Sequence, residues 1–241
     1  MKGRIGFMQG RLSPLVDGKI QSFPWTHWRE EIIQAIELNF PLMEWTLDQE
    51  NLYSNPLMNV EGQAEIKQLL RREGLKVPSL TGDCFINIVK ACGSVGIEQI
   101  VVPLVDEGSL SSFEQESTLL EFLLSIQPDL AREKVKVIFE SDFPPADLKV
   151  FIETYPEEFF GINYDSGNSA ALGFDVVEEF RCYGNRVTNV HIKDRPFEGS
   201  TVPLGEGNVN FKALFGELSR YEYQGNLILQ TARSVENKHA E

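Results

Sequence analysis

Cysteine is scarce: Cys84, Cys92 and Cys182 are the only three in 241 residues, widely spaced and without a C-x-x-C pair. That argues against a disulfide framework or a zinc knuckle, and makes a reducing, cytoplasmic setting the expectation. Positive charge is also in deficit, with 22 Lys+Arg against 36 Asp+Glu and a net charge of −14. Duplex DNA and anionic membranes need clustered cations to replace counterions, so neither is expected as a partner. No apolar run approaches the ~20 residues that span a bilayer. The opening MKGRIGFMQG lacks the apolar stretch of a signal peptide. No G-x-G-x-x-G follows the first apolar run, FMQGRLSP, so an open doubly wound sheet lacks its phosphate loop.

What is present is an alternation. With 42% hydrophobic and 24% charged residues the chain reads as an ordinary globular protein, and residues 1–241 read as one domain. Eight short apolar runs are bounded by Gly, Pro or polar residues: 4–8, 42–47, 76–82, 99–105, 135–140, 160–165, 187–194 and 226–232. Near-continuous apolar character is what strands covered on both faces require. Amphipathic stretches at 27–39, 61–74, 111–133, 145–156, 175–184 and 210–221 carry helical spacing. Eight strands alternating with helices predict a (β/α)8 barrel. Two places are thin. The third crossover leaves room only for a short helix at about 87–95, and eleven residues after Gln230 are too few for a normal closing helix. A truncated or missing final helix predicts exposed apolar surface there, which leaves a homo-oligomer open.

In such a barrel the chemistry sits at the carboxyl ends of the strands. The end residues read Met8/Gln9, Glu44, Asp83, Pro103, Glu140, Asp165, His191 and Gln230. The last four fall on consecutive strands, 25, 26 and 39 residues apart, and closure would bring them together. Two carboxylates, one imidazole and one amide carbonyl suit a single divalent cation such as Mn2+, Mg2+, Co2+ or Zn2+. Taken singly, Glu140 reads more readily as a rim carboxylate and His191 as a structural core histidine, while Asp165, within NYDSGN, reads equally as a helix N-cap. Arg11 and Arg195 suit an anionic group such as phosphate, or rim salt bridges with Glu44 or Asp194. Trp25, Trp28 and Trp45 fall at spacings that suit the core more than a sugar pocket. The glycines of PLGEGNVNF (203–211) allow a close approach to a ligand.

The segments IGFMQGRLSP, FESD, NYDSGN, HIKDR, VPLGEGNVNF and ILQTAR, in this order, resemble the xylose isomerase-like sugar phosphate isomerase/epimerase barrels over nearly the whole chain. The resemblance implies one metal held by Glu, Asp, His and Glu on strands five to eight. Glu140, Asp165 and His191 match the first three, and Gln230 departs from the fourth. Lys193, Asp194 and Arg195 fall where the family's substrate-side polar residues lie, and Asn168 and Glu44 join Arg11 as further substrate-side candidates.

The implied chemistry is proton transfer beside a sugar carbonyl, on a small sugar or sugar phosphate. Two-face epimerisation needs two carboxylates, and the Gln230 amide cannot exchange a proton at neutral pH. One-base aldose–ketose isomerisation through Glu140 is therefore favoured, with Glu44 and Asp83 as spare acids. A metal-dependent dehydratase of a polyol or keto acid, and a non-catalytic sugar-binding barrel, are the alternatives. An abasic-DNA endonuclease on the same barrel needs several more histidines and a basic groove than this sequence carries.

Overall fold

In the computed structural model, residues 3–19, 21–82 and 86–233 are described. Eight parallel strands close a barrel in sequence order: β1 (Ile5–Met8), β2 (Leu42–Thr46), β3 (Lys76–Thr81), β4 (Gln99–Leu104), β5 (Lys136–Ser141), β6 (Phe160–Asp165), β7 (Val187–Ile192) and β8 (Asn226–Leu229). The (β/α)8 architecture is the one the alternation predicts, and each strand lies inside its apolar run or runs one residue past it. Closure rests on β1 pairing β8, with Gly6 beside Ile228. No helix among the described residues is long and apolar enough to cross a membrane.

Around the barrel run α1 (Trp28–Glu37), α2 (Val60–Glu73), α3 (Ile86–Val95), α4 (Phe113–Ser125), α5 (Gln127–Glu133), α6 (Pro145–Glu153), α7 (Ser166–Leu172), α8 (Val176–Tyr183) and α9 (Phe211–Arg220). The third-crossover helix α3 has ten residues, as many as α1. The stretch at 111–133 breaks in two because Pro128 sits at the start of α5, where its missing N–H costs least. In α2, Asn59 caps the start by accepting from the Gly62 N–H, and Gly74 closes the end with a left-handed backbone. The expected absence of a normal closing helix falls largely on residues 234–241, outside the described residues.

The core is a shell between strands and helices. Trp28 and Trp45 are 3% and 0% exposed and meet edge-on at 5.9 Å, with Phe23 packed against Trp45. They are core residues, and Trp25 packs beside them on Phe23. Burying each such ring contributes about 1.5–3 kcal/mol or more, which fixes the spacing of α1 against β2.

Candidate metal centre at the carboxyl end of the barrel

Strand register sets the site. Asp165 pairs with His191, His191 with Ile228, and Met8 with Glu44. Paired residues in parallel strands point the same way, so Gln230, two beyond Ile228, shares the inward face of His191. Glu140, Asp165 and His191 each offer a ligand atom, and these atoms lie within 4.8 Å of one another, all three residues buried. The His191 Nδ1 is 3.1 Å from Glu140 Oε2 and 3.7 Å from Asp165 Oδ2. Three of the four strand-end groups, Glu140, Asp165 and His191, are thus brought together.

The donor chemistry fits a divalent cation. Two carboxylate oxygens and one imidazole nitrogen converge, and the Gln230 side-chain oxygen is buried with no hydrogen-bond partner. The Gln230 amide is turned by its Nε2, which donates to the Met8 sulfur at 3.1 Å. A buried carbonyl oxygen without a partner costs about 1–3 kcal/mol, which a bound cation or water would offset.

Asp165 performs both of the roles its sequence context allows. Its Oδ1 caps α7 by accepting from the Asn168 N–H at 2.8 Å, and its Oδ2 faces His191 and the Lys193 ammonium at 3.3 Å. Burial pushes this carboxyl up, but Lys193 and His191 more than reverse it and hold it below the usual range. Burial likewise opposes charge on His191, and Glu44, Asp165 and Glu140 together lift the imidazole well above its ordinary value.

Asn168 links the acid to the cations. Its Nδ2 donates to Glu140 Oε1 at 2.7 Å, while its Oδ1 accepts from Lys193 Nζ at 3.1 Å and Arg195 Nη1 at 2.8 Å. Two cations on the oxygen leave only the amide nitrogen for Glu140. Gly167 lets this happen, since a Cβ there would lie 2.6 Å from the Lys193 Cγ. Arg195 is held also by the Gly199 carbonyl at 2.8 Å, so its partners are neither Glu44 nor Asp194.

Arg11 is 9% exposed near the site. Burial, then Arg233, lowers its guanidinium to about 10, while Asp165 and Glu31 oppose the shift. Its loop is tied to α1, because Glu31 accepts from the N–H groups of Gly10 and Leu12 at 2.8–2.9 Å.

Two of the substrate-side candidates are engaged inside the fold. Asp194 is fully buried and accepts from the N–H groups of Gly205, Gly207 and Val209. It ties down the loop after β7, and the glycines expected to approach a ligand approach this carboxylate instead. Glu44 is also fully buried: its oxygens accept from Ser79 at 2.6 Å, Thr81 at 2.8 Å and Asn189 at 3.2 Å, and meet His191 Nε2 at 2.7 Å. Both of its oxygens are therefore engaged by protein groups. The other spare acid, Asp83, lies outside the described residues.

Two asparagines escaped the sequence reading. Asn163 Nδ2 donates to Glu140 Oε2 at 2.8 Å and lies 3.1 Å from His191 Nδ1, and Asn189 Nδ2 donates to Asn163 Oδ1 at 2.8 Å. A signal existed. Each stands two residues before a site residue, Asp165 or His191, and so shares its inward face. Polar residues inside runs otherwise built for the core call for partners.

The chain aligns with L-ribulose-5-phosphate 3-epimerase UlaE of Salmonella paratyphi A at 33% identity, over 34% of this chain and 30% of the other. It aligns with inosose dehydratase of Clostridium perfringens at 26% identity, over 55% and 52% respectively. A protein of Escherichia coli (strain K12) provisionally named L-ribulose-5-phosphate 3-epimerase SgbU aligns at 29%, over 52% and 46%. These alignments thus span about half, or less, of the curated relatives' length. A xylose isomerase domain protein from Planctomyces limnophilus superposes with TM-score 0.75 at 19% identity, covering 98% of this chain and 92% of that one. The IolI protein, solved with a zinc atom, superposes with TM-score 0.74 at 14% identity, covering 97% and 90%. These two show the fold. A family model matches residues 32–241, and the chain belongs to that family, the xylose isomerase-like TIM barrels.

Proposed function

We propose that this protein is a metal-dependent isomerase or epimerase of a sugar or sugar phosphate, and that one-base aldose–ketose isomerisation is its favoured reaction. The observation that carries this reading is the convergence of Glu140, Asp165 and His191 beside an inward-facing Gln230 where a second acid would otherwise stand. A divalent cation bound there, Mn2+, Mg2+, Co2+ or Zn2+, supplies Lewis-acid polarisation of a substrate carbonyl and its neighbouring hydroxyl. Glu140, Asp165 and His191 hold it, and Gln230 offers a neutral fourth oxygen.

Glu140 is the proton carrier. Asn163 and Asn168 donate to its two oxygens, which fixes the plane of the carboxylate at the edge of the site. From that position it takes the proton from the carbon beside the carbonyl and returns it, on the same face, to the former carbonyl carbon, while the neighbouring hydroxyl proton passes to the former carbonyl oxygen. A second base on the opposite face is what epimerisation would need. Gln230 cannot serve at neutral pH, and Glu44 is sealed behind His191. Lys193 and Arg195, gathered on Asn168, and Arg11 present the cations that suit substrate hydroxyls or a phosphate.

The match to inosose dehydratase favours a second reading, in which the same abstraction by Glu140 is followed by loss of a neighbouring hydroxyl as water. One experiment separates the two: metal-supplemented protein incubated in D2O with a panel of aldoses, ketoses and their phosphates, followed by NMR and mass spectrometry. Deuterium at the carbon beside the carbonyl with an aldose–ketose product is expected. A product lighter by one water moves the assignment to dehydratase, and no exchange or product from metal-loaded protein sinks both.

A further inference from the structure

Glu44 is sealed inside the barrel, has no access to a substrate, and yet meets the one histidine of the site at 2.7 Å. It stands on β2, 147 residues from His191 on β7. Its second role is visible in the partners around it. Ser79 and Thr81 on β3 donate to Oε2 and Oε1, and Asn189 on β7 donates to Oε2. These donors fix the carboxylate in one orientation. They also leave it as an acceptor for whatever approaches Oε1 from the histidine side. Asn189 then passes the constraint on, because its Nδ2 also donates to Asn163, which donates to Glu140.

We propose that Glu44 is a positioning residue for the metal centre: it accepts the Nε2–H of His191, fixes the neutral imidazole as the Nε2–H tautomer, and so commits Nδ1 to the cation. The inference rests on the reading that Glu140, Asp165 and His191 hold a metal. The geometry requires a choice between the two ring nitrogens, because only Nδ1 faces Glu140 and Asp165, at 3.1 and 3.7 Å. A carboxylate at Nε2 makes that choice and adds negative charge that raises the basicity of Nδ1. Both Asn163 and Asn189 touch this ring of contacts, so Glu44 and Glu140 are held at a set distance across the barrel interior.

The test begins with Zn2+ affinity of the full chain, measured by competition with a chromophoric chelator, and with long-range 1H–15N correlation spectra of the Zn2+-loaded protein. His191 should show a protonated Nε2 and a metal-shifted Nδ1. Glu44→Gln removes the charge and leaves an amide that can present either end to the ring, so Zn2+ affinity should fall about 10–100-fold. Metal at Nε2, or a Glu44→Gln protein that binds Zn2+ as tightly as the parent, overturns the proposal. Should Glu44→Gln fail to fold, the spectrum of the parent decides alone. If the parent binds no Zn2+, Mn2+ or Co2+, the metal-centre reading itself falls and this proposal with it, an outcome distinct from tight binding through the wrong nitrogen.

Discussion

Glu44 in the barrel interior and Glu179 on α8 are both carboxylates closed off from solvent, at 0% and 2% exposure, yet burial leaves them in opposite conditions. Glu179 accepts from the hydroxyls of Tyr164 and Tyr183 at 2.9 and 2.8 Å, and from Ser169. Burial still outweighs these three donors and lifts its carboxyl above the usual range. Glu31 accepts from the backbone N–H groups of Gly10 and Leu12 and is opposed also by Arg233 and Ser13, yet burial still pushes it up to about 7. At Glu44 burial pushes the same way, but the charge of His191 reverses it, helped by Ser79 and Thr81. Dipoles soften desolvation, whereas a full opposite charge overturns it. Glu179 joins the wall of the barrel to α8.

The sharpest way to break this contrast is to remove the charge at the mouth and leave the shape. Glu140→Gln keeps an oxygen for the cation but loses the proton carrier, so turnover of the identified substrate should fall about 10²–10⁴-fold. The new amide nitrogen meets the Asn163 or Asn168 donor, so the thermal midpoint should fall by only a few degrees, far short of accounting for that loss. Turnover within a few-fold of the parent would show that Glu140 is a structural carboxylate like Glu179.

Glu31 provides the next largest effect, and it acts on stability. The unfolded chain sheds this proton near 4.5, while the folded protein keeps it to about 7. Between those values the native state binds more protons, so stability falls as pH rises, by roughly 3 kcal/mol at most for a shift of this size. Glu31→Gln should flatten that part of the profile in denaturant titrations at about pH 5 and pH 7. An unchanged slope would place the pH dependence elsewhere.

The smallest expected change is at Gln230. Against a dication, two carboxylates balance the charge, and a third adds one negative unit. Gln230→Glu should tighten Mn2+ binding by roughly tenfold, about 1.4 kcal/mol. Calorimetry giving the parent's affinity would mean that the orphaned oxygen of Gln230 does not face the cation.

How much of this was legible beforehand follows from the range of the interactions. The apolar runs and amphipathic stretches are local patterns, so β1 to β8 and most helices could be placed from the residues alone. Pro128 inside 111–133 signalled a break that periodicity passed over, and α7 was hidden in SGNSAAL, whose small residues carry no apolar stripe. Asp165 was readable in both its roles because a cap and a strand end are each local.

The register of acids along the strands, and hence the inward face of Glu140, Asp165, His191 and Gln230, was written into the linear sequence by the two-residue period of a strand. Which groups those side chains would meet was decided only by closure. Glu44 lies 147 residues from His191 and Asn189 lies 145 from Glu44, and nothing local distinguishes an acid that faces substrate from one that faces a histidine. Closing β8 onto β1 brings opposite strands to one axis, and the partner each polar atom finds there determines its charge, its tautomer and its use.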